Sequence, residues 1–404
     1  MPIDFTLTPE QVALKASARN FAETVLAPCP AQYLQLPTQF ERFRATQDAY
    51  RRIVEGGWIK MQIPEEYGGT RKSLVDVALK KEFISPFLTC NGTPLAALGF
   101  SEPTGSANWL QNEGGRGIQT LARIEGGEVI MNGGKVWASS SGGWDFKGPE
   151  VLCLVCRFGT QGAPADTVGI VVITRKEFDD PKNARCFRVG GDIETHGFRA
   201  HSGPRTFFAD FRVPVKNILA TPGKGALVNV AAFTESAALV GAGAAGLMRS
   251  CFEHTLKIVT TDKRRGSKPT IEYQSVTDFL ISMKMRLETT RYLTWKACHY
   301  LDTTGEAELA YQAKVYGSET AVQCVLEAMQ AVGVTAYDVA QPYGLMMDDA
   351  ICLPLFEGSN TGIRRCQIQK ILSTAGYDPD SCASNTSWSK AREGYPERFW
   401  KCHI

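Results

Sequence analysis

Glu128-Val129-Ile130-Met131-Asn132-Gly133-Gly134-Lys135 is a short apolar run interrupted by an Asn-Gly-Gly cluster, the pattern of a strand that enters a turn. Val168-Gly169-Ile170-Val171-Val172-Ile173 repeats the texture, which holds from about residue 94 to residue 215 and reads as a β domain of hairpins. On both sides the period changes. From Thr8 to about Lys81 apolar residues recur at three and four, and Thr8-Pro9-Glu10-Gln11 offers a hydroxyl cap with proline in the first turn. Helical period returns from about Leu227 to Ser373, with long segments at 277–301 and 306–332. An α+β chain is expected: N-terminal helices over 1–93, a β domain over 94–215, a helix bundle over 216–375 and a loose tail over 376–404, rich in Ser, Asp, Pro and Trp.

Composition bounds the function. With 404 residues, 44% of them hydrophobic, the chain can bury a large core in two or three domains. Lys and Arg number 44 against 42 Asp and Glu, with no long basic run, so a nucleic-acid partner is not expected. The start, Met1-Pro2-Ile3-Asp4-Phe5-Thr6, lacks the pattern of a secretory or mitochondrial leader. The apolar stretch at 237–248 is shorter than the roughly 18 to 20 residues that span a bilayer, and Cys402-His403-Ile404 is no peroxisomal address. A soluble, cytoplasmic protein without a membrane span is expected. The twelve cysteines are scattered and read as free thiols. Cys153 and Cys156 form a CxxC inside Val151-Leu152-Cys153-Leu154-Val155-Cys156-Arg157, which reads as a buried strand rather than a redox turn. The five histidines have no ligand spacing, so no metal site is expected.

One carboxylate stands out. In Leu353-Pro354-Leu355-Phe356-Glu357-Gly358-Ser359-Asn360 a single acid sits on a Gly-containing turn after an apolar run, with Arg364 beyond it. Apolar walls disfavour the charged form of a carboxylate and make it a better proton acceptor. A surface acid after a buried segment gives the same pattern, so the motif acquires meaning only from its company.

That company is ordered along the chain. Phe100-Ser101-Glu102-Pro103-Thr104-Gly105-Ser106-Ala107-Asn108 opens the β domain and Lys135-Val136-Trp137-Ala138-Ser139 follows the Asn-Gly-Gly turn. Gly197-Phe198-Arg199-Ala200-His201-Ser202 leads to Val213-Pro214, and the 267–274 segment, Gln330-Ala331-Val332-Gly333 and the Glu357 turn come after it. Together they resemble the acyl-CoA dehydrogenase superfamily of FAD enzymes over roughly residues 5–372. That resemblance implies an N-terminal helical domain, a central β-barrel or sandwich and a C-terminal four-helix bundle. Ser106 to Gln111, the 141–148 segment, Ser236-Ala237-Ala238-Leu239-Val240-Gly241-Ala242 and Arg286-Leu287-Glu288-Thr289 look like the nitroalkane oxidase branch of filamentous fungi.

The resemblance assigns roles. Flavin reduction builds negative charge on the ring edge, which donors stabilise; by family position Ser139 would serve N5 and O4, Ser101 would face the pyrimidine edge and Trp137 would pack beside the ring. Ser106 and Ser359 would also contact FAD. Arg264 would meet the pyrophosphate of a neighbouring subunit through its planar fork, with Gln274, Gln330 and Gly333 completing the cradle. A homotetramer is implied. After Gly333 the glycines of the dehydrogenase pattern are replaced by Val334, Thr335 and Ala336. Glu357 matches the catalytic base of the dehydrogenases and aligns with an aspartate in the nitroalkane oxidases, with Ser236 and Arg364 placed to tune it by hydrogen bonding and charge.

Three functions remain open on this reading. In an oxidase, Glu357 takes the α-proton of a small nitroalkane, electrons pass to FAD, nitrite leaves, and O2 yields peroxide beside an aldehyde or ketone. In a dehydrogenase, Glu357 takes the α-proton of an acyl-CoA thioester as the β-hydride passes to FAD. The third reading is a catalytically impaired flavin-binding paralogue. Its motive is a jump near residues 81–83, from Lys80-Lys81-Glu82 to Phe83-Ile84-Ser85-Pro86-Phe87, which omits a helical hairpin that walls the substrate cavity in family members. Such a loss exposes an apolar seam and admits water.

Overall fold

The computed structural model describes residues 6–70, 81–105, 107, 109, 110, 117–159 and 164–389. Short helices open the chain: α1 (Pro9–Phe21), α2 (Cys29–Tyr33), α3 (Gln39–Ala45), α4 (Gln47–Glu55) and α5 (Lys81–Leu88). The Thr8 cap forms as expected, its hydroxyl accepting from the Gln11 amide while the Gln11 side chain accepts from the Thr8 amide. The stretch before Lys81, on which the expected omission bears, lies outside the described residues.

The β domain is one eight-stranded mixed sheet. Its strands are β1 (Ala96–Gly99), β2 (Leu121–Glu125), β3 (Glu128–Lys135), β4 (Val151–Phe158), β5 (Val168–Thr174), β6 (Phe187–Val189), β7 (Thr206–Pro214) and β8 (Ile218–Ala220). They are ordered β6-β7-β3-β2-β4-β5-β8, with β1 parallel to β4. Single-turn helices α6 (Pro164–Thr167) and α7 (Arg175–Phe178) flank β5. Cys156 is fully buried in β4 and its thiol is pushed up to about 12, chiefly by burial, while burial pushes Cys153 up to about 11. This matches the buried-strand reading of the CxxC.

Asn132-Gly133-Gly134 is not a turn. It lies inside β3, where pairing with β7 shifts register between Met131 and Gly133. Gly133 has φ +151° and a Cβ there would stand 2.6 Å from the Thr120 backbone, so the glycine permits a bulge against a neighbouring chain segment. Gly126 and Gly127, both at positive φ, make the turn between β2 and β3 instead.

Three long helices form the bundle: α8 (Gly225–Val259), α9 (Gln274–Thr304) and α10 (Glu308–Val332), followed by α11 (Tyr343–Cys352), α12 (Arg365–Leu372) and α13 (Ser381–Ser384). By length and composition α8 is apolar enough to cross a membrane, which the short apolar run in the sequence did not suggest. Here its apolar residues serve the bundle core: Val240, Ala244, Met248 and Cys251 share one buried cluster with Met283 and Leu287 of α9 and Ala321, Cys324 and Ala328 of α10.

The tail is docked at least as far as Ser389, contrary to the loose extension expected. Trp388, 4% exposed, joins a cluster with Ala297, Tyr300, Leu309 and Ile371. Tyr300 donates to Ser381 Oγ (3.2 Å) and to the Thr386 carbonyl (3.1 Å), and the Ser387 hydroxyl donates to Glu306 (2.6 Å). An aromatic ring buried beside satisfied polar partners explains why a Ser- and Asp-rich segment holds its place.

Candidate active site

Glu357 lies on the loop between α11 and α12, in a left-handed conformation with φ +53°. That geometry is costly for a residue with a long side chain and is held by its surroundings. The carboxylate accepts a hydrogen bond from Ser236 of α8, Oγ to Oε2 at 2.6 Å. Arg364 grips the loop from beneath: Nη2 and Nε donate to the Glu357 carbonyl at 2.6 and 2.9 Å, and Nη2 also donates to the Phe233 carbonyl at 2.9 Å. Gly358, at φ +75°, leaves the space that the guanidinium fills, since a Cβ there would lie 3.0 Å from Arg364 Nε.

Arg364 is 1% exposed and its guanidinium lies 5.0 Å from the Tyr311 ring centre. Burial lowers its pKa, against the stabilising influence of Tyr311 and Glu357. Of the two residues expected to tune Glu357 by charge and hydrogen bonding, Ser236 hydrogen-bonds the carboxylate, while Arg364 donates to the backbone and interacts with Glu357 by charge.

Neighbouring segments pack around this loop and its supports. Phe100 packs on Phe233 of α8 (5.1 Å between ring centres), and a Cβ built on Gly362 would stand 3.6 Å from Ala107. Phe198 meets Phe356 edge-on at 5.3 Å, while its amide donates to Asp349 of α11 at 2.6 Å. The 197–202 segment thereby joins the Glu357 loop to the wall carrying Trp137 and Ser139. Ser139 Oγ lies 2.8 Å from His201 Nε2, and the His201 pKa is lowered by burial, which favours a neutral imidazole. Ser101 sits alongside, its carbonyl accepting from the Val136 amide at 2.9 Å.

Trp137 is 53% exposed and has φ +64°. A large aromatic presented to solvent at the end of a buried strand, next to an exposed hydroxyl, fits the face of a flat conjugated ring. The Ser359 hydroxyl accepts from the Gly362 amide at 2.9 Å and caps the helical turn that carries Arg364. Ser106 lies outside the described residues.

The remaining expected cofactor residues gather at the far end of the bundle. Arg264 Nη2 donates to the Val332 carbonyl at 3.3 Å, beside Gly333 at φ +65°, but the same guanidinium is paired with Asp262 at 2.7 Å. Gln330 and Gln274 are exposed there, Gln274 donating to Asp278 at 2.7 Å. Lys314 of α10 contacts the Glu357 loop, so at 1.5 Å per residue Arg264's contact at Val332 is about 27 Å away along α10. One subunit does not bring the two ends of the expected cradle together.

Lys314 itself was missed by the sequence reading, as was Asn360. The signal was there: Ala310, Lys314, Gly317 and Ala321 fall on one helical stripe of α10, and a lysine on a buried stripe needs a partner. Among the described residues no group of three or more His, Cys, Asp or Glu could hold a metal ion.

The fold and this site define an acyl-CoA dehydrogenase-type protein. Residues 8–97 match the N-terminal domain of acyl-CoA dehydrogenase and residues 223–372 match its C-terminal domain. The chain belongs to the acyl-CoA dehydrogenase superfamily and is an FAD-dependent oxidoreductase that resembles nitroalkane oxidase. It is 39% identical to nitroalkane oxidase of Fusarium oxysporum, over 93% of this chain and 96% of that protein. Against the Podospora anserina enzyme identity is 37%, over 98% and 100%. Both alignments, at 426 and 441 positions, exceed the 404 residues of this chain, so gaps open within it. The solved Podospora structure superposes with a TM-score of 0.90 at 38% identity, covering 95% of this chain and all of that one. Glutaryl-CoA dehydrogenase shares the fold at a TM-score of 0.75.

Proposed function

We propose that this protein oxidises small nitroalkanes, with Glu357 as the base that removes the α-proton. The single observation that carries this is the Glu357 carboxylate, turned out on a strained loop, backed by Ser236 and backbone-clamped by Arg364. Similar proteins support the substrate class: nitroalkane oxidase variants altered in the active site were crystallised with 1-nitrooctane and 1-nitrohexane.

A nitro group acidifies the adjacent C–H, so a positioned carboxylate suffices to take the proton. Ser236 orients that carboxylate, and the aromatic pair Phe198 and Phe356 lines the approach with apolar surface. Bound FAD supplies the two-electron acceptor that O2 regenerates. The sum of the reaction is nitroalkane, O2 and water giving aldehyde or ketone, nitrite and hydrogen peroxide. Ser101, Trp137 and Ser139 are proposed to hold the ring end of FAD. Arg264, Gln274, Gln330 and Gly333 are proposed to serve the pyrophosphate of a neighbouring subunit in a homotetramer, since within one chain they lie remote from Glu357.

The glutamate at 357, rather than an aspartate, favours a second reading, α,β-dehydrogenation of an acyl-CoA. An anaerobic visible spectrum decides between them: nitroethane bleaches the oxidised-flavin band on the first reading, a short acyl-CoA on the second. Glu357→Gln is expected to retain FAD and lose the bleaching by nitroethane; bleaching at the parent rate removes Glu357 from the mechanism. A protein that binds FAD but is bleached by neither substrate is the impaired flavin-binding paralogue, and one that takes up no FAD does not form the family's site.

A further inference from the structure

Lys314 is wholly buried in α10. Its ammonium donates to the Asn360 side-chain oxygen at 2.6 Å and to the Pro354 carbonyl at 3.2 Å. Those two residues are the two ends of the loop that carries Glu357. They are also joined directly, the Asn360 amide donating to the Pro354 carbonyl at 3.0 Å. Asn360 is fixed in turn by its own amide group, which donates to Ser318 Oγ (3.0 Å) and Glu319 Oε1 (3.1 Å), both on α10.

We infer that Lys314, through Asn360, is a positioning residue for Glu357: it ties both ends of the 354–360 loop to a rigid helix and so fixes where the base carboxylate points. This rests on the reading of Glu357 as the base. The argument is geometric. Ser236 and Arg364 restrain the middle of the loop from α8 and from beneath, but neither touches its ends. A loop held only in the middle can pivot, and a displacement of about 1 Å at a reacting group costs on the order of 100-fold in rate. Lys314 removes the pivot.

The choice of lysine also has a cost that a purely structural role does not require. Among the described residues no carboxylate lies within hydrogen-bonding distance of it; Asn360 and the Pro354 carbonyl are neutral acceptors. The charged groups facing it are Arg364, which opposes its charge, and Glu357 and Glu319, which favour it. Burial outweighs these, and its pKa is lowered to about 7. An apolar residue would fill the same space without that penalty, so the two hydrogen bonds to the loop are what the lysine uniquely supplies.

The test separates proton removal from everything downstream. The nitroethane anion, prepared in base beforehand, has already lost its α-proton and needs no base, whereas neutral nitroethane does. FAD-loaded Lys314→Met is expected to reduce flavin with neutral nitroethane at least tenfold more slowly relative to the anion than the parent does, with the anion rate close to the parent rate. Amide hydrogen exchange across 354–360 is expected to accelerate in the same variant. A selective loss smaller than tenfold, or an equal loss on both forms, overturns the inference. Should Lys314→Met fail to take up FAD, Asn360→Ala carries the same two outcomes. Glu357→Gln run alongside tells the two levels apart: if it keeps the neutral-substrate rate, the base assignment itself fails; if it loses that rate alone while Lys314→Met and Asn360→Ala do not, only the positioning role fails.

Discussion

Arg364 holds Glu357 by its main chain: the guanidinium donates twice to the Glu357 carbonyl, at 2.6 and 2.9 Å, and once to the Phe233 carbonyl. The arginine therefore sets the path of the loop and leaves the carboxylate free for chemistry.

Replacing Arg364 with Met strips the donor from two carbonyls in a buried position. Leaving such acceptors unsatisfied costs about 1–3 kcal/mol each, so unfolding free energy is expected to drop by roughly 2–6 kcal/mol, read as a lower urea midpoint with the slope unchanged. Arg364→Lys is expected to recover little, because a single ammonium cannot reproduce the fork.

Ser236→Ala removes the hydroxyl that touches the carboxylate at 2.6 Å. Two effects oppose. Loss of a donor strengthens the carboxylate as a base, while loss of orientation moves it off line, and misplacement has the larger effect. Flavin bleaching by neutral nitroethane is expected to slow on the order of 10-fold, with FAD content unchanged by absorbance ratio.

Lys314 makes stability depend on pH. Its folded pKa is about 7, against 10.5 for the free side chain, so between those values the unfolded chain holds one more proton than the folded one. Stability then rises with pH, by about 1.4 kcal/mol per unit, and the penalty is complete below pH 7. Lys314→Met abolishes this slope. Urea titrations of parent and variant at pH 7, 8 and 9 are expected to show the parent gaining steadily on the variant.

Trp388 anchors the tail on α9, α10 and α12. Truncating a buried tryptophan costs about 3–5 kcal/mol, so Trp388→Ala is expected to lower the urea midpoint clearly while leaving the Glu357 loop and FAD uptake intact. An unchanged midpoint sinks this account of the tail.

Much of the architecture was legible because periodicity reports burial directly. The helix–sheet–helix order and the 306–332 segment followed from where apolar residues recur, and α10 indeed spans Glu308–Val332. Asn132-Gly133-Gly134 misled because the same residues serve a turn or a bulge, and only the approach of Thr120 decides which. The tail misled for the opposite reason: one aromatic outweighs its polar neighbours once it has a pocket to enter. At the site, Glu357 and Ser236 could be named from ordered motifs and do meet. For Lys314 the buried stripe signalled that a partner was needed but not which one, since its partners lie 40 and 46 residues away and only folding brings the loop ends to it.

The Ser139–His201 contact gives the site two unlike walls. Burial lowers the His201 pKa and favours the uncharged ring, which lies 2.8 Å from the Ser139 hydroxyl. Behind Glu357, by contrast, Lys314 titrates near neutrality. One wall of the pocket thus carries a ring that resists taking up a proton, and the other carries an amine that gives its proton up more readily than a free lysine does.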